Sequence, residues 1–350
     1  MTAAVVIQAE KNPQEGIQGT PMDMEEFEAC QLCEWRCGVD RNEERGVCNV
    51  GMPEVAYTCL AESLESYSIT LLGCNFRCLY CNAYRLSQYP DTNWFYRGYV
   101  APEELAREAI EKLQGAGVEK LGFTGGEPTI HLPYIEAVVE EAKKLMPTLQ
   151  VGFTTNGFAT EASMKRIVDL CAYITLEINA YHNDTHLALS GAPVEPVLRN
   201  AAYLINHREK LRAIKTVVVP QINDAEIEEI AQFIASIDPS VPYHLIGFRP
   251  SFMLYYHPGP SASELEAIAK RCEHHLETVK WGGAYPHEQA FAASGGAELA
   301  RRYARSAGCI RSDRNCGSCS MNKRCPAILR EPWLSTPHTP HQRTGKEDDV

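Results

Sequence analysis

Between residues 67 and 276, short apolar runs alternate with longer amphipathic stretches, and that alternation limits the fold more than any other feature. "YSITLLG" (67–73), "KLGFTGG" (120–126) and "QVGFTTNG" (150–157) read as strands, as do 173–178, 212–219 and 243–248. Helical periodicity fills the gaps: "APEELAREAIEKLQGAG" (101–117), "LPYIEAVVEEAKKLM" (132–146), and stretches at 160–171, 194–206, 224–236 and 261–276. Buried strands separated by helices indicate repeated β-α units on a parallel sheet. A closed eight-stranded barrel needs about 250 residues. The alternating region has six strand signals within 63–280. The expected fold is therefore α/β, a partial (β/α)6 TIM-type barrel. In such folds, functional groups gather on loops after the strands' C-terminal ends.

Two loops at such ends stand out. "GCNFRCLYCNAY" (73–84) holds Cys74, Cys78 and Cys81 in C-x3-C-x2-C spacing, and "TGGEPT" (124–129) follows the next strand. A closed zinc site takes four ligands, and iron–sulfur clusters are normally held by four cysteines. Three thiolates in one short loop leave a position for a ligand from outside the chain, unless a distant fourth ligand completes a zinc site. The glycine pair lets backbone pass close to a neighbour or a ligand. Read alone, "TGGEPT" is a plain strand-to-helix turn with Pro128 near the helix start.

The chain has 14 cysteines, and the others also cluster. Cys30, Cys33, Cys37 and Cys48 form C-x2-C-x3-C-x10-C, a complete four-thiolate set. Zinc, a single iron and an iron–sulfur cluster are all open to it, with a structural staple favoured because the segment lacks a core of its own. Cys309, Cys316, Cys319 and Cys325 form a third group, suited to a second 4Fe–4S cluster or to zinc. Cys171 and Cys272 read as small buried hydrophobes. With no basic segment leading into an apolar core at the N-terminus, no signal peptide is expected, and metal binding is favoured over disulfides. The cytoplasm is the expected location. No apolar run approaches the ~18 residues that span a bilayer. A net charge of −12 without a dense Lys/Arg run argues against nucleic acid as a partner. The organisation reads as a flexible arm (1–22), an N-terminal cysteine-rich segment (23–62), the partial barrel (63–300), a C-terminal cysteine-rich segment (301–327) and a flexible tail (328–350).

Together, the C-x3-C-x2-C loop with Tyr80 before its last cysteine, and Gly125-Gly126-Glu127-Pro128 after the second strand, resemble the radical S-adenosylmethionine (SAM) superfamily. "CQLCEWRCGVDRNEERGVCNVG" (30–51) and two later stretches (176–205 and 217–254) are similar to the uncharacterised branch of pyruvate formate-lyase activating enzyme-like proteins. The resemblance implies a 4Fe–4S cluster on Cys74, Cys78 and Cys81, with S-adenosylmethionine chelating the fourth iron. It implies reductive cleavage to a 5′-deoxyadenosyl radical, with Tyr80, Gly125, Gly126, Glu127, Pro128, Asn156, Glu177 and Asn179 around the cofactor. It further implies a reductant such as flavodoxin or ferredoxin, and a peptide, protein or small-molecule substrate, with peptide or protein favoured. The third cysteine group resembles part of an auxiliary-cluster module, placed to cap the barrel mouth. The well-studied activases carry Asp-x-Lys where this chain has Glu177 and Asn179, so the cation is missing and glycyl-radical activation becomes the alternative reading. Arg249 replaces a usual histidine and reads either as a carboxylate fork or as a surface side chain. A reading of another class is a non-catalytic iron–sulfur or zinc protein serving as electron carrier or scaffold. His182 and His186, four apart, read as ordinary solvated histidines.

Overall fold

The computed structural model describes residues 25–61, 64–88, 90, 96–284 and 296. The C-terminal cysteines Cys309, Cys316, Cys319 and Cys325, the arm and the tail lie outside the described residues. The described part is one eight-stranded sheet, in the spatial order of the chain. Its strands are β1 (Val55–Ala61), β2 (Ser66–Leu71), β3 (Lys120–Gly125), β4 (Gln150–Thr155), β5 (Tyr173–Glu177), β6 (Leu211–Val218), β7 (Tyr243–Gly247) and β8 (Val279–Gly282). Strand β1 pairs antiparallel with β2, and every later pair is parallel. Among the described residues β1 and β8 do not pair, so the barrel is open.

The partial barrel expected from the sequence is present, with two strands beyond the six expected. Strand β1 falls in the cysteine-rich segment, and β8 has only four residues with an exposed centre. Both are edge strands, which lack the continuous apolar run of a strand buried on both faces. The cysteine-rich segment thus joins the barrel directly through β1.

The helices are α1 (Glu25–Glu28), α2 (Tyr84–Ser87), α3 (Pro102–Ala116), α4 (Leu132–Leu145), α5 (Glu161–Leu170), α6 (Asn183–Ser190), α7 (Glu195–Ile205), α8 (Ile227–Ala235) and α9 (Ala262–Cys272). Local chemistry fixes their ends. Helix α3 starts on Pro102 and stops at left-handed Gly117, and α9 opens on a Ser261/Glu264 capping box. Successive side chains on a strand point to opposite faces. Ile69, Leu71, Leu121, Phe123, Val151, Phe153, Ile174, Leu176, Tyr243 and Leu245 pack against the helices in the main core. The alternate residues form the inner face: Ser68, Thr70, Gly122, Thr124, Thr154, Thr175, Glu177, Lys215 and His244. Small and polar residues there leave room inside the barrel. Cys171 and Cys272 are buried in the helix-side core, as read from the sequence.

Candidate active site

The three-cysteine loop crosses the C-terminal end of β2, strapped down on three sides. Arg77 and Leu79 donate their N–H groups to Ser190 O (2.8 Å) and Leu189 O (3.0 Å) at the end of α6. Met253 N–H donates to Leu79 O, and Ser251 Oγ to Tyr80 O. The third side is the "TGGEPT" loop. Gly126 N–H donates to Leu71 O and Glu127 N–H to Gly73 O. Only glycine fits there: a Cβ on Gly126 would lie 1.6 Å from Gly73 O. The glycine pair therefore presses the loop against the backbone that begins the cysteine motif.

Glu127 is buried, and its carboxylate is fully engaged. One oxygen accepts from Thr129 Oγ1 (2.6 Å), Thr129 N (3.1 Å) and Thr155 Oγ1 (2.7 Å), and the other accepts from Asn156 N (2.8 Å). Burial raises its pKa while these donors oppose the rise. Its role in this geometry is to lock the β3 loop to the end of β4. Asn156 is then aimed at the cysteine loop: its Nδ2 donates to Asn75 Oδ1 (2.8 Å) and lies 3.9 Å from Cys74 Sγ.

Cys74, Cys78 and Cys81 are all free thiols. Burial pushes each of them up, Cys78 to about 12, and Cys74 and Cys78 are raised further by neighbouring cysteines of the loop. Thiols this resistant to ionisation become thiolates when a metal stabilises the charge. Two features fit an anionic metal cluster here. Arg77 is wholly buried in the loop, its Nη1 donating to Cys74 O and Phe76 O and its Nη2 to Val47 O. Its Nε has no partner among the described residues, a stranded donor that sulfur would satisfy. No three described His, Cys, Asp or Glu side chains converge on a single ion.

The remaining expected residues are arranged as follows. Tyr80 is buried beside Cys78, and its phenol is pushed well up, first by burial and then by Cys78 and Glu177. Pro128 opens a 3-10 turn at residues 128–131. Glu177 is the last residue of β5, and its charge is felt at Cys78 and Cys81. Asn179 is buried, with Oδ1 committed to Val217 N (3.0 Å). Arg249 is exposed. His182 is exposed and faces Glu229, but His186 departs from the solvated reading. It is buried edge-on against Phe76, with Nδ1 2.6 Å from Ala192 O. The reason is that α6 packs under the cysteine loop, a contact that the spacing of the two histidines does not reveal.

Sequence reasoning missed Lys215, Asn75 and Arg77. Lys215 lies on β6 in direct register with Glu177, then His244 on β7 and Lys280 on β8. Burial raises the Glu177 pKa, and Lys215 draws it back. Burial lowers His244, helped by Lys215, Lys280 and Arg212. No single-sequence signal marks Lys215, because cross-strand register is invisible before the sheet is assembled. Asn75 and Arg77 lie inside the motif and were visible as buried-polar candidates between ligands.

Residues 68–234 match the Radical SAM superfamily. An uncharacterised protein of Methanocaldococcus jannaschii is 27% identical over 244 residues, 66% of this chain and 69% of that one. The pyruvate formate-lyase-activating enzyme of Staphylococcus epidermidis is 27% identical over 200 residues, 52% of this chain and 75% of that one. A solved domain of a pyruvate formate-lyase-activating enzyme from Bacteroides vulgatus has a TM-score of 0.39 and 18% identity, covering 46% of this chain and 98% of that one. An open parallel barrel with a free three-cysteine loop at its C-terminal mouth defines the class, and over residues 68–234 the chain is similar to the radical SAM superfamily. Within it, this enzyme is similar to the pyruvate formate-lyase-activating enzymes.

Proposed function

We propose that Cys74, Cys78 and Cys81 hold a 4Fe–4S cluster whose fourth iron takes S-adenosylmethionine, and that the enzyme abstracts hydrogen from a peptide or protein substrate. The observation carrying this reading is the packing of the three free thiols against Glu127-locked backbone and over Glu177. When bound, the cluster supplies one electron that cleaves the sulfonium and yields a 5′-deoxyadenosyl radical.

The chain's own groups do the rest. Gly125 and Gly126 offer backbone close to the cysteine loop, which Glu127 and Pro128 hold in place. Asn156 and Glu177 bring an amide and an acid to the same mouth. Asn179 fixes the turn after β5 through Val217. Tyr80, Leu79, Val219 and Phe248 form an apolar cluster beside the loop. Such a wall excludes water from a reactive site.

A protein substrate is supported by the likeness to activating enzymes, whose name gives pyruvate formate-lyase as what they act on. The glycyl-radical activase reading also gains support from Lys215. It sets a cation beside Glu177 from the next strand, in place of the one that Asn179 lacks. A flavodoxin- or ferredoxin-type donor supplies the electron. Cytoplasmic conditions suit the free thiols of both described cysteine sets. The C-terminal set, Cys309, Cys316, Cys319 and Cys325, lies outside the described residues and completes the proposal as a further 4Fe–4S or zinc site.

The test is anaerobic reconstitution with iron and sulfide, followed by reduction and assay of 5′-deoxyadenosine. Cys78→Ala is expected to abolish the product. Wild-type product formation by that variant would refute the assignment and favour the carrier reading.

A further inference from the structure

Cys30, Cys33, Cys37 and Cys48 precede the barrel in the chain, yet they fold together. Cys30 N–H donates to Val39 O (3.1 Å) and Gly38 N–H to Cys30 O (3.0 Å), closing a knuckle around Cys33 and Cys37. Arg36 and Gly38 take positive φ, 41° and 63°, to make that turn. Cys30 and Cys37 lie close enough that each shifts the other's pKa, Cys30 down and Cys37 up, and Cys33 lies in the field of both Cys48 and Cys30. The sulfurs of Cys37 and Cys48 lie 3.2 and 3.5 Å from where a Cβ on Gly46 would stand, so a side chain there would crowd both. All four thiols are free.

This group backs directly onto the three-cysteine loop. Cys74 N–H donates to Cys48 O (3.2 Å), and Arg77 reaches Val47 O. The Trp35 indole N–H donates to Asn75 O (2.7 Å). Asn75 is buried between the two sets. Its Oδ1 takes Asn156 Nδ2 beside Cys74, while its Nδ2 faces the Cys33 thiol without a partner in hydrogen-bond geometry. The Arg77 guanidinium feels Cys74, Cys48, Cys78 and Cys81 together. A buried cation and a stranded amide donor between two thiol sets are costly in a metal-free interior. Both are satisfied if sulfur on each side carries negative charge.

We infer that Cys30, Cys33, Cys37 and Cys48 hold a second iron–sulfur cluster, closed by four protein thiolates, which shares the Asn75–Arg77 wall with the cluster on Cys74, Cys78 and Cys81. The identity of that neighbour rests on the proposed function; the second site does not. Iron with sulfide separates a cluster from a lone ion, and the experiment below reads both.

The decisive chain is full length, with Cys74, Cys78, Cys81, Cys309, Cys316, Cys319 and Cys325 all changed to Ser, leaving this set intact. After anaerobic reconstitution it is expected to bind about four irons and about four sulfides and to form no 5′-deoxyadenosine. One zinc without sulfide, or no metal in a chain with wild-type circular dichroism, would overturn the proposal. Should seven substitutions unfold the chain, the wild-type background with Cys33→Ser and Cys48→Ser gives the same answer. It is expected to lose about four irons yet keep the electron-paramagnetic change that S-adenosylmethionine induces at the other cluster. Iron content equal to wild type would overturn the proposal. With both clusters reduced, the shared wall further requires magnetic broadening that disappears in either variant, and sharp uncoupled signals in the wild type would sink it. If the decisive chain binds its cluster while wild type makes no 5′-deoxyadenosine, the proposed function fails and this site stands.

Discussion

Glu127 shows how one buried carboxylate can tie two loops together. Four donors converge on it from Thr129, Thr155 and Asn156, so its charge is matched by hydrogen bonds instead of by a cation. Glu127→Gln replaces one acceptor oxygen with a donor amide that faces another donor. Leaving such a group unsatisfied costs about 1–3 kcal/mol, and urea unfolding is expected to show a loss of that size. Because Asn156 is released, 5′-deoxyadenosine formation should fall as well, while reconstituted iron is retained. A variant of unchanged stability would show that the carboxylate is not the lock described. Lys215 admits a separate check. Its charge favours ionised Glu177 against burial, so Lys215→Met should raise the Glu177 pKa further. The acid limb of the pH profile for S-adenosylmethionine cleavage is then expected to move to higher pH. An unmoved limb would remove Lys215 from the site.

The elements that matter most are two loops held in contact, and Gly126 is the hinge pin of that contact. Gly126→Ala would place a methyl group 1.6 Å from Gly73 O, closer than any repacking of side chains can relieve. Backbone must separate, which pulls the β3 loop off the start of the cysteine motif. Reconstituted iron on the three-cysteine loop is expected to drop several-fold, read as the S-adenosylmethionine-responsive signal, while helix content stays near wild type. Retention of the full signal would show that the loops hold without this packing. Both loops were legible in the sequence, because ligand spacing and a glycine pair are local signals. The six inner strands were legible for the same reason, since the apolar residues they bury against the helices recur at every second position. Strands β1 and β8 were not, because an edge strand is half exposed and short. The burial of His186 escaped too, since "HNDTHLALS" carries weak periodicity and polar residues. The Glu177–Lys215 pair and the wall between the cysteine sets are properties of assembly. They join residues 38 apart in one case, and Cys33 to Asn75 in the other.

At the scale of the molecule, one buried pair adds to the contacts that clasp the cysteine-rich segment to the barrel, and that pair predicts how acid acts on the fold. Arg41 is buried under Phe27 and donates to Gly51 O and Ile130 O, with Nη2 also facing His131 Nδ1 at 3.4 Å. His131 Nε2 lies 2.7 Å from Leu72 O. Only the neutral tautomer with its proton on Nε2 serves both neighbours, donating to the carbonyl and accepting from the guanidinium. Burial, and then the Arg41 charge, lower the His131 pKa to about 3. Burial lowers His186 to about 4. A histidine in the unfolded chain titrates near pH 6.5. The unfolded state therefore binds more protons than the folded state below that pH, and stability falls as pH falls from about 6.5 towards these values. Each group contributes a slope of at most about 1.4 kcal/mol per pH unit. Between pH 6.5 and 5, before most carboxylates titrate, wild type should lose stability along both slopes, with His244 and His257, also lowered by burial, adding in the same direction. His131→Gln is expected to be less stable at pH 7, yet to have a shallower slope across that window by close to one proton's worth. Urea midpoints at four pH values measure it, and parallel slopes in the two proteins would show that His131 is not held neutral by the clasp.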